Sequence, residues 1–201
     1  MLELSVVQGR SRLFMRRKAD KAFSSFSRRV FERDNFQCQH CGFTAIEHME
    51  VVNKDGNYMN NKMSNLMTAC PFCCQCDLLD IVGEGGLGGG TLIFLPELSQ
   101  EELNALCHVL FSTIALGNES SSESKDYYRA LKARAKIVEK KLGEGLSSPS
   151  LYAQMILDAN QDVRKLHKEV CSKVRLLPNI KQYASYTCDW AQQAVRSIAS
   201  V

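Results

Sequence analysis

Leu2, Leu4 and Val6 alternate with polar neighbours, a period of two that predicts a short opening strand. From Ala19 to Arg33 the period lengthens. Ala19, Ala22 or Phe23, Phe26 and Val30 recur at helical spacing, so a helix is expected to run into Asp34 and Asn35. The pattern then lapses into an Asn- and Met-rich stretch from Asn53 to Met67, and residues 83–90 hold six glycines, the mark of a flexible loop or turn cluster. Thr91 to Leu95 reads as a strand closed by Pro96. Beyond it, Ser99 and Glu102 carry a capping-box signature, and Leu98 is placed to staple onto Leu103. Leu103, Leu106, Leu110 and Ile114 form the apolar stripe of that helix, which Gly117 ends. After a polar linker over 118–124, Tyr127, Leu131, Ala135, Val138 and Leu142 stripe a basic helix stopped by Gly143. Ser148 and Pro149 open another helix toward Ala159. Pro178 separates a helix ending near Val174 from a last one carrying Ile180, Ala184, Ala191, Ala194 and Ile198. On this pattern the C-terminal half is all helix, without an internal repeat.

At 201 residues, 45% of them hydrophobic, the chain is long enough to bury a real core. The longest apolar stretch, around Leu103 to Leu116, is broken by Asn104, His108, Ser112 and Thr113, and falls short of the roughly 18 apolar residues of a membrane span. The opening MLELSVVQGR lacks the charged-then-apolar layout of a signal peptide, so export is not expected. The net charge of +3 is uneven: residues 1–33 hold nine basic residues against three acids. That face suits a phosphate backbone or an acidic protein surface, or is simply a solvated helix face.

Nine cysteines in an unexported chain point to metal binding in a reducing compartment rather than to disulfides. Cys38-x-x-Cys41, with Gly42 directly after it, is separated by 28 residues from Cys70-Pro71-Phe72-Cys73. Four thiolates in two tight pairs make a closed tetrahedral site of soft donors, which selects one structural zinc ion and leaves no position for chemistry. The gap exceeds that of a simple zinc ribbon, so something folded must fill it. Cys73 with Cys76 is a rival second pair, and Cys74 or His40 can stand in for a sulfur; Pro71, which stiffens its turn, favours Cys70 with Cys73. Cys107, Cys171 and Cys188 read as small buried hydrophobes, and Trp190 and Tyr183 as core or interface. His108 and His167 lack a nearby cysteine pair and read as structural or solvent-facing. Gly83 to Gly88 matches G-x-G-x-x-G, but a strand rather than the required helix follows it.

The stretch from Arg29 to Gly42, with Arg33-Asp34, an aromatic at Phe36 and then Cys-x-x-Cys-Gly, resembles the HNH (ββα-metal) nucleases. Ser64-Asn65-Leu66 followed by Cys70 and Cys73 resembles the second half of that motif, Asn65 standing for its central asparagine, so about 45 residues are covered. The resemblance implies a zinc-pinned ββα core. It also implies an Asp-His pair and a further histidine after the last zinc cysteine, for water activation and catalytic metal binding. Val52-Asn53 and Cys74 stand in those places. Asn53 offers no basic nitrogen, Val52 cannot bind a metal, and Cys74 suits magnesium poorly. His48 can serve as the base only if the hairpin register slips.

Asn57 to Leu66, the glycine loop leading to Thr91-Leu92-Ile93-Phe94-Leu95-Pro96-Glu97, and Leu106 to Phe111 together resemble the IcmJ (DotN) family of Dot/Icm type IVB secretion systems. That resemblance implies a non-enzymatic, cytoplasmic adaptor. It would be held at the inner membrane through its partner, the coupling ATPase (DotL-like), and other subunits of the coupling complex, for effector recruitment. The expected fold is α+β: an N-terminal strand, helix and HNH-like core over 1–82, a glycine-rich loop and short strand over 83–98, and helices over 99–201. The rivals are an HNH endonuclease with a displaced base and a nucleic-acid-binding zinc module. The strand Thr91–Leu95 is the expected docking edge, with Leu92 and Phe94 as contacts and the basic N-terminal face steering an acidic segment.

Overall fold

The computed structural model describes residues 2–83, 87–160 and 172–199. The chain is α+β, with helices packed around two small antiparallel sheets. Two helices open it, α1 (Arg10–Lys18) and α2 (Lys21–Arg33). The continuous helical period from Ala19 therefore begins two residues late: Asp20 turns the chain and caps α2, its carboxylate accepting from the Ala22 amide at 2.9 Å. Helix α1 escapes the hydrophobic pattern because its inward face is mixed, burying Ser11, Phe14 and Arg17. Residues 2–7 form no strand. Leu2 is buried and Leu4 and Val6 pack partly on the core, but one backbone bond, Ser5 N–H to Cys76 O at 2.9 Å, takes the place of a ladder.

Strands β1 (Glu50–Asn53) and β2 (Leu66–Ala69) pair as a hairpin, Glu50 opposite Ala69 and Asn53 opposite Leu66, and lead into the single-turn helix α3 (Pro71–Cys74). The loop between the strands is closed by its own asparagines. Asn65 donates to Asp55 and to the Asn60 carbonyl, both at 2.9 Å, and Asn60 donates to Asp55 at 2.8 Å.

After β3 (Gly90–Phe94) come α4 (Gln100–Leu116), α5 (Ser121–Ala133), α6 (Ala135–Leu142) and α7 (Pro149–Asp158). Ser99 and Glu102 make the full capping box and Gly117 ends α4 in the left-handed region. The basic helix is two helices with a break at Arg134, and Tyr128, not the exposed Tyr127, turns inward, its hydroxyl donating to Pro178 O at 3.0 Å.

The C-terminal half is not all helix. Val174–Pro178 is a strand, β4, antiparallel to β3, with Gly90 opposite Pro178 and Phe94 opposite Val174. The rest of the helix expected to end at Val174 falls on residues 161–171, outside the described residues, together with His167 and Cys171. Val174, Leu176 and Leu177 are buried, which a strand achieves by covering β3. One edge of β3 is thus occupied by β4, while on the other the Leu92 amide donates to Ser147 O at 2.8 Å. Leu92 and Ile93 are fully buried, so β3 is not the open edge for partner addition that its position beside a glycine loop suggests. The last helix, α8 (Ala184–Ala199), buries Thr187, Trp190 and Ala191 and follows the buried Tyr183, while Ala184, Cys188 and Ala194 face outward. Aromatic side chains offer far more area to bury than alanines, and they set the inward face.

Gly88 and Gly90, at the entry to β3, are there for close approach. A methyl on Gly88 would lie 1.8 Å from the Tyr183 hydroxyl oxygen, and one on Gly90 2.7 Å from the Leu177 carbonyl oxygen. Gly88→Ala should therefore destabilise the fold by about 2 kcal/mol in urea unfolding, through overpacking. Gly117→Ala, where a methyl meets nothing within 4 Å, should cost about 1 kcal/mol, from the left-handed backbone alone.

Candidate metal centre

Two turns bring the cysteine pairs together. Asn35 and Phe36 adopt positive φ of 53° and 55° to reverse the chain at the end of α2. Cys38 then donates its amide to Phe43 O at 2.7 Å, Gly42 donates to Cys38 O at 3.0 Å, and Gly42 holds φ +77°, which glycine adopts without strain. This first knuckle is fastened to β2 twice: Gln39 N–H donates to Thr68 O at 2.9 Å, and the Asp34 carboxylate accepts from Thr68 N–H at 2.8 Å. In the second knuckle Cys70 precedes α3, Pro71 occupies its first turn, and Cys73 and Cys74 donate their amides to Cys70 O at 3.0 and 2.9 Å.

The sulfurs of Cys38, Cys41, Cys70 and Cys73 all lie within 4.8 Å of one another, and Cys41 and Cys70 are 3.7 Å apart. Cys38, Cys70 and Cys73 are buried and Cys41 is partly exposed. Hydrogen bonds from Cys41, Cys70 and Cys73 hold the Cys38 thiol far below the usual range, while burial, then the neighbouring sulfurs, push Cys70 and Cys73 up. One charge is easily placed in this nest, and several need a cation among them. Four close, soft donors fit a metal ion and are compatible with zinc. Cys76 instead donates its thiol to Phe72 O at 3.3 Å, and neither Cys74 nor His40 belongs to the cluster.

Helix α4 supplies neighbours that cysteine spacing could not reveal. His108 is buried, with Nε2 3.2 Å from Cys70 Sγ, so the expectation that it lacks a cysteine partner is overturned. Its ring is stacked between Phe43 and Phe72, with centroids 3.5 and 4.2 Å away, and Trp190 closes the edge at 5.1 Å. Burial lowers its pKa to about 3 against the pull of Cys38, so the imidazole is neutral at pH 7. Asn104 Nδ2 donates to Cys73 Sγ at 3.2 Å, and Gln100 donates to Asn104 Oδ1 at 2.9 Å. The signal was present as three polar residues four apart within an apolar stripe.

The positions that the nuclease resemblance singles out are engaged structurally. Asn53 is buried, accepts from Arg17 and donates to the Asn57 and Asn60 carbonyls at 2.9 and 2.7 Å. Arg17 also donates to Val51 O and lies over the Phe23 and Tyr58 rings. Val52 and Cys74 are buried. His48, at φ +62°, bonds Asp189 at 2.7 Å and stacks on Tyr186 at 4.0 Å, fastening the loop before β1 to α8.

Fold and site together define a small α+β protein whose hairpin and following helix turn are drawn around a four-cysteine cluster able to hold one metal ion. No family model matches the sequence. Over 198 residues, which are 98% of this chain and 92% of the relative, it is 43% identical to the Type 4 apparatus protein DotN of Legionella pneumophila subsp. pneumophila. The chain belongs to the DotN family.

Asp34 gives the first knuckle a pH dependence. Burial alone would raise its pKa, but the Arg33 guanidinium and the Thr68 amide hold it below the ordinary 3.8. A depressed carboxylate adds stability that is present above its unfolded pKa and lost as pH falls through its folded pKa. Urea unfolding of Asp34→Asn should therefore show a deficit at pH 7 that shrinks as pH falls below about 4. A deficit independent of pH would deny the carboxylate this role.

Proposed function

We propose that this chain is a non-enzymatic adaptor subunit of a type IV secretion apparatus, pinned by one structural zinc ion and binding a DotL-like coupling ATPase for effector recruitment. The observation that carries the reading is its relation to an apparatus protein along nearly the whole of both chains. Cys38, Cys41, Cys70 and Cys73 would hold the zinc, which supplies a tetrahedral cross-link between the two knuckles and leaves no open position for a substrate. A degenerate HNH-like core is in keeping with the order of hairpin and helix turn between the cysteine pairs. The absence of catalysis is in keeping with Asn53, whose amide is spent on Arg17 and two backbone carbonyls instead of a water.

Among the described residues no helix is long and apolar enough to cross a membrane. The proposed place, which rests on the family relation, is the cytoplasmic face of the inner membrane, through the ATPase. Arg12, Arg16, Lys21 and Arg29 are exposed on α1 and α2 and would steer an acidic partner segment. Arg10 and Arg17 bond inward, and Arg33, although exposed, is engaged by the Met63 and Leu66 carbonyls at 2.7 Å each.

Elemental analysis of the purified chain should find close to one zinc per molecule. Cys38→Ser or Cys70→Ser should unfold the core, because structural zinc contributes folding free energy on the order of 10 kcal/mol. Folded protein without metal would refute the zinc.

Titrating the chain with the cytoplasmic tail of the coupling ATPase should give one-to-one binding at micromolar concentration or below. Reversing the charge of Arg12, Arg16 and Arg29 together should slow association and weaken its salt dependence. No binding at high concentration would sink the adaptor reading.

A further inference from the structure

We propose that Asn104 and His108, with Gln100 orienting Asn104, form an outer shell of the metal centre, the first two donating N–H···S hydrogen bonds that draw charge from Cys73 and Cys70 and slow the loss of metal. The inference rests on the zinc reading above and assigns new roles to three residues of α4. A divalent ion with four thiolates leaves a net charge of about −2, and such charge in a dry site is costly unless donors face it. Outer groups that orient and neutralise metal ligands commonly change metal affinity by about 10–100-fold.

The polarity of the shell is fixed from its far end. Gln100 faces the backbone of Leu176 in β4, accepting from its amide at 2.8 Å and donating to its carbonyl at 2.9 Å. Neither bond survives an amide flip, so Gln100 Nε2 is a donor, and it points also at Asn104 Oδ1, 2.9 Å away. Asn104 is thereby oriented as well. Its Nδ2 must face the other way, where Cys73 Sγ lies at 3.2 Å and Cys76 Sγ at 4.0 Å.

The histidine follows the same logic. Nδ1 is buried and finds no hydrogen-bond partner among the described residues, while Nε2 lies 3.2 Å from Cys70 Sγ. A proton on Nδ1 would bury an unpaired donor and set the bare Nε2 lone pair against sulfur. A proton on Nε2 gives the thiolate a donor instead. Stacking between Phe43 and Phe72, at interplanar angles of 5° and 18°, keeps the ring in the plane that this bond needs. The sequence spacing puts all three donors on one face of α4, one turn apart.

The test uses the full chain, metal-loaded and cobalt-substituted, with His108→Phe, Asn104→Leu, His108→Gln (which keeps an N–H) and the exposed Leu106→Ala as control. Metal release to excess chelator should be about 10–100-fold faster in His108→Phe and Asn104→Leu. The sulfur-to-cobalt charge-transfer band should move to lower energy in both, because sulfurs without donors are more electron-rich. His108→Gln should recover part of each effect and Leu106→Ala should change neither. Should a variant not fold, magnetic resonance of the cadmium-substituted native chain decides. Scalar coupling between the metal and the Nε2 proton of His108 or the Nδ2 protons of Asn104 is expected. Bound metal with unchanged release and an unmoved band, or no such coupling, overturns the shell alone. Absence of metal from the native chain overturns the zinc reading, and the shell with it.

Discussion

Four sulfurs held within 4.8 Å of one another is the constraint on which the rest of this structure turns. Thiols so crowded repel as soon as more than one of them ionises, and a cation is what makes the crowding favourable. Everything nearby is arranged to keep them crowded. The positive-φ reversal at Asn35 and Phe36, the Thr68 fastening of the first knuckle and the α3 turn of the second each fix one pair relative to the hairpin. The aromatic rings of Phe43, Phe72 and Trp190 then wall the site, and the same rings clamp His108.

Two cysteine knuckles were legible from spacing, but Cys73 with Cys76 rivalled Cys70 with Cys73, and Pro71 rather than the spacing favoured the pair that the structure brings to Cys38 and Cys41. The helix from Ser99 to Gly117 was legible too, since its cap, stripe and stop agree. Other features were set by contacts distant in sequence. β4 reads as neither strand nor helix until β3 is beside it, as five residues holding one proline carry too little period. Helix α1 hides because an arginine, Arg17, takes a core position and is satisfied there by Asn53 and Val51. His108 looked idle because its sulfur partner lies 38 residues away, and helical spacing says nothing of what a face will meet.

At the positions where the nuclease resemblance expects a catalytic pair, the side chains are engaged in holding the fold together. Where a nuclease needs a basic nitrogen free to take a proton, Asn53 has both amide protons and its oxygen committed to fixing the hairpin loop and Arg17. Such a residue stabilises the loop because it has no other demand on it. The family relation to an apparatus protein and this internal use of Asn53 are both compatible with the adaptor role proposed above.

The order of parts along the chain gives the metal centre a history. All four cysteines lie before residue 74, whereas His108 comes with α4 and Trp190 with α8, near the other end. At ribosomal rates of about 5–20 residues per second, both knuckles are synthesised several seconds before Trp190, the part of the wall that α8 brings. The nascent chain thus passes through an interval in which its thiols are open to solvent and metal can enter without any part of the finished protein having to unfold. Once Trp190 has docked and donated to the Glu47 carbonyl at 3.1 Å, three of the four thiols are buried and Cys41 alone of the four stays partly exposed. Under the zinc reading, an ion would enter most easily before α8 docks, and a finished chain without one would offer it Cys41 first.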